Sequence, residues 1–179
     1  VVSTRYGDVL PSCKALAGAG IEMIGLEGRE HLLRKALEAL APSYDYIFID
    51  CPPSLELLTL NGLCAADSAM VPVQGEYFAL EGLSDLMNTI RIVKRNFNPN
   101  LELEGVLLTM FDSRTNLAVE VAEEVKHYFP GKVYATVVPR NVRLSEAPSH
   151  GKPISAYDRA SRGSEAYASL AEEFLRKSV

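Results

Sequence analysis

Four short apolar runs, rich in β-branched and aromatic residues, alternate with longer amphipathic segments along this chain. The runs are YIFID (46–50), AMVPV (69–73), LEGVLLTMF (103–111) and KVYATVVP (132–139). Runs of this kind are typical of strands that are buried on both faces of a parallel sheet. Strands and helices in alternation imply crossover connections, so the pattern predicts an α/β fold with a doubly wound, mainly parallel sheet.

Apolar residues three and four positions apart predict the helices between these strands. The predicted helices cover 27–41, 54–65, 79–97, 115–129 and 161–177. Residues 14–26 are ambiguous, because Gly18 and Gly20 weaken a pattern that is otherwise helical. The sequence contains no internal repeat, low-complexity tract or linker, so we predict that residues 1–179 form a single domain.

The composition predicts a folded cytoplasmic protein with reduced thiols. At 179 residues and 47% hydrophobic content the chain can bury a sizeable core, and its net charge of -5 leaves any contact with nucleic acid to a local basic patch. The three cysteines lack metal-ligand spacing. No apolar run reaches the roughly 18 residues of a membrane span, and the first residues lack the layout of a signal peptide. The chain begins with Val rather than Met, as expected of a piece of a longer protein.

Polar residues stand at the carboxyl ends of three predicted strands, where α/β sheets place their ligand sites. Asp50 ends the first run, and a carboxylate there can hold Mg²⁺ through water or orient an attacking water. The alternative is a turn or helix-capping aspartate ahead of two prolines. Asp112 and Asn141 follow two further runs, where single polar residues more often belong to turns.

The phosphate loop that would complete a nucleotide site is absent from these 179 residues. The motif G-x-x-x-x-G-K-[ST] needs glycines for close backbone approach, a lysine for charge and a hydroxyl for the metal. Gly20 and Gly25 have the right separation, but Leu26 and Glu27 follow them. The sequence also lacks a G-x-S-x-G elbow and a G-x-G-x-x-G fingerprint, and its three histidines are scattered.

Long stretches of the chain resemble the ParA/Soj family of chromosome and plasmid partitioning ATPases. They are YDYIFIDCPPSLELLTLNGLCAADSAMVPVQGEYFALEGL (44–83), LEGVLLTMFDSRTNL (103–117) and VVPRNVRLSEAPSHGKPISAYDRASRGSEAY (137–167). Weaker similarity extends back to about residue 5. The resemblance implies a P-loop NTPase-like fold of the deviant Walker type that binds ATP and Mg²⁺. It also implies a nucleotide-sandwich homodimer, DNA binding without sequence preference, and stimulation by a ParB-type partner, with no role for a membrane.

The resemblance assigns roles to individual residues of this chain. Asp50 matches the Walker B aspartate, which would contact the metal through water and help to place the attacking water. Pro139 and Asn141 match the segment that lines the adenine, and Thr109 and Asp112 would lie close by.

The family's phosphate loop lies upstream of residue 1, so the resemblance covers roughly the C-terminal two-thirds of a typical member. The strand that feeds this loop would lie between strands 46–50 and 69–73. We therefore expect a gap in the sheet, compensated by dimerisation, strand exchange or local disorder. The alternative is that the two flanking strands pair directly in a regular ladder.

Two groups of basic residues are the candidate DNA contacts. Arg91, Lys94 and Arg95 have helical spacing, and Arg140 and Arg143 lie in an arginine-rich C-terminal third. Contacts of this kind would be salt-sensitive and blind to sequence. The alternative is an ordinary solvated surface of an acidic protein.

Two hypotheses follow for the chain as a whole. The first is a fragment of a partitioning ATPase, which would not hydrolyse ATP alone without the loop. The second is a naturally truncated, non-catalytic paralogue that acts as a binding or dimerisation module. An in-frame upstream sequence resembling K-G-G-V-G-K-T-T would establish the first.

Overall fold

The computed structural model describes residues 1–52, 54 and 56–177. Backbone contacts divide the chain into two compact units. The first unit consists of Val1–Ala69 and Leu86–Glu102, and the second consists of Met70–Asp85 and Leu103–Val179.

The first unit begins with a small hairpin and continues into short helices. Strands β1 (Val2–Thr4) and β2 (Gly7–Val9) pair in antiparallel register. Helices α1 (Leu16–Glu22), α2 (Leu32–Leu37) and α3 (Leu57–Ala65) follow.

Two buried asparagines hold the helices of the first unit together. The Asn61 side chain accepts a hydrogen bond from the Leu33 N–H at 3.1 Å and donates to the Arg29 carbonyl at 2.9 Å. Asn98 donates to the carbonyls of Leu63 and Ala66 at 3.0 and 2.7 Å, and so satisfies the carboxyl end of α3. Buried amides of this kind fix one arrangement, because an unmade hydrogen bond in the core is costly.

The predicted strand at 46–50 is wrong. These residues form no strand and belong to neither sheet. The side chains of Tyr46, Ile47 and Phe48 are 45%, 42% and 76% exposed. A run of apolar residues becomes a strand only when a neighbour hydrogen-bonds to its backbone, and no such ladder reaches this segment in the described residues. The alternative of a regular ladder with 69–73 needs a strand here and is therefore also wrong.

The second unit is built on a parallel sheet. Strands β3 (Ser68–Gln74) and β4 (Glu102–Thr109) are neighbours, and helix α4 (Tyr77–Asn96) connects them along the chain. The residues of α4 from Leu86 onward belong to the first unit. A helical crossover of this length is the connection that parallel strands need. The predicted α/β class with a parallel sheet is confirmed.

The segment 132–139 pairs with β4 in parallel, but only at two separate bridges. Val106 bridges Val133, and Phe111 bridges Pro139. Between the bridges the ladder is interrupted, so the predicted continuous strand at 132–139 is present only in part.

Helices α5 (Asn116–Tyr128), α6 (Val142–Glu146), α7 (Ile154–Tyr157) and α8 (Arg162–Lys177) complete the second unit. The core of this unit contains four buried side chains from β4, from the segment 132–139 and from α8. They are Leu107, Tyr134, Val138 and Leu170.

The three long predicted helices are confirmed as α4, α5 and α8, within a few residues of their predicted ends. The helix predicted at 27–41 is shorter, because Gly28 has a left-handed backbone with φ of 65° and the regular helix begins only at Leu32. The helix predicted at 54–65 begins at Leu57, and Pro53 and Leu55 lie outside the described residues. The hairpin, α6 and α7 were not predicted.

Gly105 is the glycine on which the packing of β4 depends, and its replacement gives a test of that packing. A Cβ atom there would lie 2.7 Å from the Tyr134 ring and 2.8 Å from the Lys132 carbonyl oxygen. We expect Gly105→Ala to lower the free energy of unfolding by about 1–3 kcal/mol, because a backbone atom must move. The measurement is urea denaturation followed by circular dichroism.

Gly82→Ala is the matched control. Nothing lies within 4 Å of a Cβ atom built at this position in α4. Alanine is the better helix former, so this change should raise the free energy of unfolding by about 0.5–1 kcal/mol. Equal destabilisation by the two variants would contradict the close packing of Gly105.

Candidate functional site

The carboxyl end of β4 is bent by an unusual residue. Met110 has a left-handed backbone with φ of 46°, which is uncommon for a residue other than glycine. After it, the Phe111 N–H donates to the Val138 carbonyl at 3.1 Å, and the Arg140 N–H donates to the Phe111 carbonyl at 3.2 Å. The structure thus brings the two predicted nucleotide segments, 109–112 and 139–141, side by side at one end of the sheet.

Thr109 and Asp112 stand on either side of this bend. The Thr109 hydroxyl lies 3.5 Å from the Val73 carbonyl of the neighbouring strand. The Asp112 carboxylate forms a two-pronged ion pair with Arg114, at 2.8 Å from Nε and 2.7 Å from Nη2, and also accepts the Arg114 backbone N–H. These contacts shape the turn into α5, so Asp112 has a structural role whether or not it touches a ligand.

The same contacts determine the charge of Asp112. The hydrogen bonds from the Arg114 side chain and backbone lower the pKa of Asp112 to about 2. The carboxylate is therefore ionised at neutral pH. Arg114 itself is exposed, so an anion could compete with Asp112 for it.

Pro139 and Asn141 lie on the neighbouring segment. Pro139 forms the bridge to Phe111. The Asn141 side-chain oxygen accepts the Arg143 N–H at 2.8 Å and caps the short helix α6. The amide nitrogen of Asn141 forms no hydrogen bond to another described residue.

Glu173 is a functional candidate that sequence analysis missed. It lies on α8 and is only 9% exposed, and its two oxygens accept the N–H groups of Ala135 and Thr136, each at 2.8 Å. Lys177 stands 3.3 Å from the same carboxylate and 3.9 Å from the centre of the Tyr134 ring. We call this set of contacts the Glu173 clamp. The sequence feature that could have identified Glu173 is its place three positions after the buried Leu170, which puts an acidic residue on the apolar face of an amphipathic helix.

Hydrogen bonding outweighs burial in setting the charge of Glu173. Burial alone would raise the pKa of this carboxyl group. The backbone N–H groups of Ala135 and Thr136, the Thr136 hydroxyl and Lys177 more than offset that effect and lower the pKa to about 2.

Asp50 belongs to the first unit and is exposed. It follows the segment 46–49 and precedes Cys51, whose sulfur would lie 2.7 Å from a Cβ atom built on Gly62 of α3. The absence of a side chain at Gly62 therefore allows the chain just after Asp50 to lie against α3. Burial, and secondarily the charge of Asp50, raises the pKa of the Cys51 thiol.

A single carboxylate at Asp50 matches the coordination preference of Mg²⁺. This ion usually takes one or two carboxylates and completes its shell with water and substrate phosphates. The described residues contain no group of three or more His, Cys, Asp or Glu side chains that could enclose a metal ion.

The candidate DNA contacts differ in how strongly they are already engaged. In the first unit, Lys94 forms an ion pair with Glu102, and Arg91 lies 3.5 Å from the Asn88 side chain. Arg95 is exposed and forms no ion pair within the described part of the chain. These three residues share one face of α4, as their spacing predicted.

The two candidates in the second unit both have carboxylate partners. Arg140 lies 3.9 Å from Glu76, a weak contact between exposed groups. Arg143 pairs with Glu146 at 2.8 Å and with Asp158 at 3.4 Å, which ties α6 to the end of α7. Arg143 thus has a role in holding the fold that Arg140 lacks.

None of the described helices is both long enough and apolar enough to cross a membrane.

Comparison with known proteins gives matches over nearly the whole chain. A family model described as an AAA domain matches residues 2–103. The chain is 62% identical over 166 residues to the sporulation initiation inhibitor protein Soj of Bacillus subtilis. This alignment covers 93% of the present chain and 66% of the Soj protein. The chain is also 56% identical over 173 residues to the chromosome partitioning protein ParA of Myxococcus xanthus. This alignment covers 97% of the present chain and 61% of the ParA protein. The chain therefore spans less than two-thirds of the length of these relatives.

Solved structures of other proteins are also similar to this chain. Cobyrinic acid a,c-diamide synthase from Mycobacterium smegmatis, with bound ATP analog and magnesium, matches with a TM-score of 0.84 and 38% identity, over 98% of this chain and 65% of that one. The cell division ATPase MinD of Pyrococcus furiosus matches with a TM-score of 0.66 and 25% identity, over 82% of this chain and 58% of that one.

The lowered pKa of Glu173 predicts a specific acid sensitivity. The stability that the ionised carboxylate contributes is complete above its ordinary pKa of 4.5 and is lost as pH falls toward about 2. We expect Glu173→Gln to be less stable than the unmodified chain at pH 7, with a difference that shrinks between pH 4.5 and 2. Urea denaturation across this range measures it.

Glu172→Gln is the control, because Glu172 is exposed on the same helix and its replacement removes the same charge. Asp112 titrates in the same window in all three proteins and cancels from the comparison. A pH-independent difference between the Glu173 and Glu172 variants would contradict the clamp.

Proposed function

Because this chain belongs to the ParA/Soj family, we propose that it is the C-terminal part of an ATP-dependent chromosome partitioning protein. The observation that carries the proposal is the pairing of Phe111 with Pro139. It holds the two predicted nucleotide segments, 109–112 and 139–141, together at the carboxyl end of the sheet, which is where α/β proteins bind their ligands.

We propose that the adenine of ATP lies against Pro139, with the Asn141 amide as a donor and with Thr109 and Asp112 nearby. Asp50 would contact Mg²⁺ through water and help to place the attacking water. When bound, Mg²⁺ would supply charge neutralisation at the phosphates. The solved relative that contains an ATP analog and magnesium supports this choice of ligands.

The lack of a phosphate loop limits what these 179 residues can do alone. In comparable sites, the loss of a single preorganised donor costs on the order of 3 kcal/mol of transition-state stabilisation. Here the backbone donors, the lysine and the hydroxyl of the loop are all absent from the sequence. We therefore propose an ATPase as the parent activity and a chain that does not hydrolyse ATP by itself.

The exposed apolar segment 46–48 supports the proposed gap in the sheet. We infer that a further strand pairs with 46–50 in the complete protein, and that dimerisation, strand exchange or local disorder compensates in its absence. The alternative function, a non-catalytic dimerisation module, would use the same apolar surface in a permanent interface. Analytical ultracentrifugation tests the module, because a permanent interface requires a stable dimer without nucleotide, and a monomer would contradict it.

DNA without sequence preference and a ParB-type protein are the proposed partners, in the cytoplasm. Arg91, Lys94 and Arg95 would contact phosphates from one helix face, and Arg140 and Arg143 are the candidate contacts in the second unit. The names of the relatives support chromosome partitioning, and a plasmid would use the same contacts. The test in the cell is an Asp50→Ala substitution in the chromosomal gene, which should raise the fraction of cells without a nucleoid. An unchanged fraction would contradict the function.

The first prediction in solution concerns hydrolysis. The purified 179-residue chain should release no phosphate from ATP and Mg²⁺ above the level of Asp50→Ala, because no phosphate loop completes the site. Phosphate release is measured over hours in the presence of non-specific DNA. Turnover that persists through purification and disappears in Asp50→Ala would overturn the prediction.

The second prediction concerns DNA. Replacement of Arg91, Lys94 and Arg95 by Ala should weaken binding to non-specific duplex and flatten the plot of log affinity against log salt by up to about 2.7, or 0.9 per lost phosphate contact. Fluorescence anisotropy at several salt concentrations measures both effects.

A second triple variant is the control for net charge. Lys14, Lys35 and Lys126 are exposed and lie outside the candidate surface, and their replacement by Ala removes the same three charges. Equal weakening by the two variants would mean that DNA responds to overall charge rather than to this face of α4.

A further inference from the structure

We propose that Glu173 is a positioning residue that sets the register of the segment 132–139 against β4, and thereby the place of Pro139 and Asn141. The proposal rests on the proposed function in one respect, because it assumes that 139–141 contacts the nucleotide. Its structural part stands on the hydrogen bonds of the second unit alone.

The ladder between β4 and the segment 132–139 contains two extra residues. Near its start, the Val106 N–H donates to the Lys132 carbonyl at 2.8 Å, and the Tyr134 N–H donates to the Val106 carbonyl at 2.9 Å. In a regular parallel ladder the next donor would be residue 136, two positions on, bonded to the carbonyl of Leu108. Instead Val138 donates to Leu108, at 2.9 Å. The segment therefore advances four residues, from 134 to 138, while β4 advances two, from 106 to 108.

The Glu173 clamp accounts for this bulge. In a strand, successive N–H groups point to opposite sides, yet the N–H groups of Ala135 and Thr136 both reach one carboxylate. The chain bends at Ala135 to allow it. Glu173 thus supplies the acceptor that Thr136 would otherwise find on Leu108, and leaves that carbonyl to Val138.

The hydrophobic pattern cannot fix this register by itself. A slip of one residue would turn every side chain of the segment to the other face, but a slip of two residues keeps each one on its own face. Removal of the bulge is such a slip. It would move Pro139 by about 6.6 Å along β4, two residues at the usual rise. The clamp is therefore the contact that distinguishes the two registers.

The end of β4 has a smaller irregularity, of one residue. After Leu108, a regular ladder would pair the N–H of Met110 with the Val138 carbonyl, but Phe111 donates there instead. The left-handed Met110 takes up this one extra residue. Pro139 meets Phe111 only because both irregularities are present, and Glu173 stabilises the larger one.

The first arm of the test measures register without nucleotide. In isotope-labelled protein, cross-strand NOEs should connect Leu108 with residue 138 in the unmodified chain. In Glu173→Ala we expect these NOEs to be lost or replaced by contacts between Leu108 and residue 136. Glu173→Gln keeps the shape of the side chain but offers one acceptor oxygen where two are needed, so it should show the same change in milder form. This variant serves as the test if Glu173→Ala does not fold.

Glu172→Gln is the matched control and should keep the 138 to 108 contacts. Unchanged contacts in both folded Glu173 variants would overturn the proposal, whatever the nucleotide does.

The second arm measures the consequence for the site. Titration of the whole chain with ATP and Mg²⁺ should shift the NMR signals of residues 139–141, with an affinity weaker by about tenfold in Glu173→Gln and unchanged in Glu172→Gln. Altered register with unaltered affinity would overturn the positioning role and also the assignment of 139–141 to the nucleotide. If the unmodified chain shows no shift at 139–141, the nucleotide assignment fails for this chain, and the first arm alone decides whether Glu173 sets the register.

Discussion

The hydrogen bonds between β4 and the segment 132–139 are the contacts on which the position of the candidate nucleotide segments in the second unit depends. They begin as a regular parallel ladder at Val106, skip two residues of the segment, and resume with Val138 bonded to Leu108. The turn at Asp112 and the cap at Asn141 both lie beyond this irregular part. Their position is therefore a consequence of how the bulge is stabilised, and a buried carboxylate on a distant helix stabilises it. A local site is built here by a long-range contact.

The polar side chains at this end of the sheet are largely occupied by one another. Arg114 binds Asp112, Asn141 caps α6, and Arg143 joins two carboxylates. Such contacts keep the side chains oriented before a ligand arrives. The Arg114 side chain is exposed and its ion pair costs little to break, so a phosphate can replace the Asp112 carboxylate as its partner. The site thus combines fixed backbone with exchangeable charges.

The parts of the fold that the sequence predicted well are those that have strong periodicity and whose packing partners lie within the chain. The run 103–111 and the helix at 115–129 carry strong periodicity and appear as β4 and α5. The run 46–50 has an equally strong pattern, but strand formation depends on a neighbour, and a run of residues does not reveal whether its neighbour is present. The bulge was beyond prediction for a related reason: a slip of two residues leaves the alternation unchanged. Glu173 could have been noticed, because a charge on the apolar face of a helix needs a partner.

In the first unit, the role proposed for Asp50 depends on the folding of the segment that precedes it. Asp50 follows a segment that lies outside both sheets and whose apolar side chains are exposed. A carboxylate stabilises a transition state only when its position is fixed before the reaction. A strand that paired with 46–50 would bury Tyr46, Ile47 and Phe48 and would, through the same hydrogen bonds, fix Asp50 at a strand end. The apolar burial that favours the pairing would thus also help to order the proposed metal ligand. Under the proposed function, Asp50 would therefore act in the completed sheet and not as an isolated aspartate.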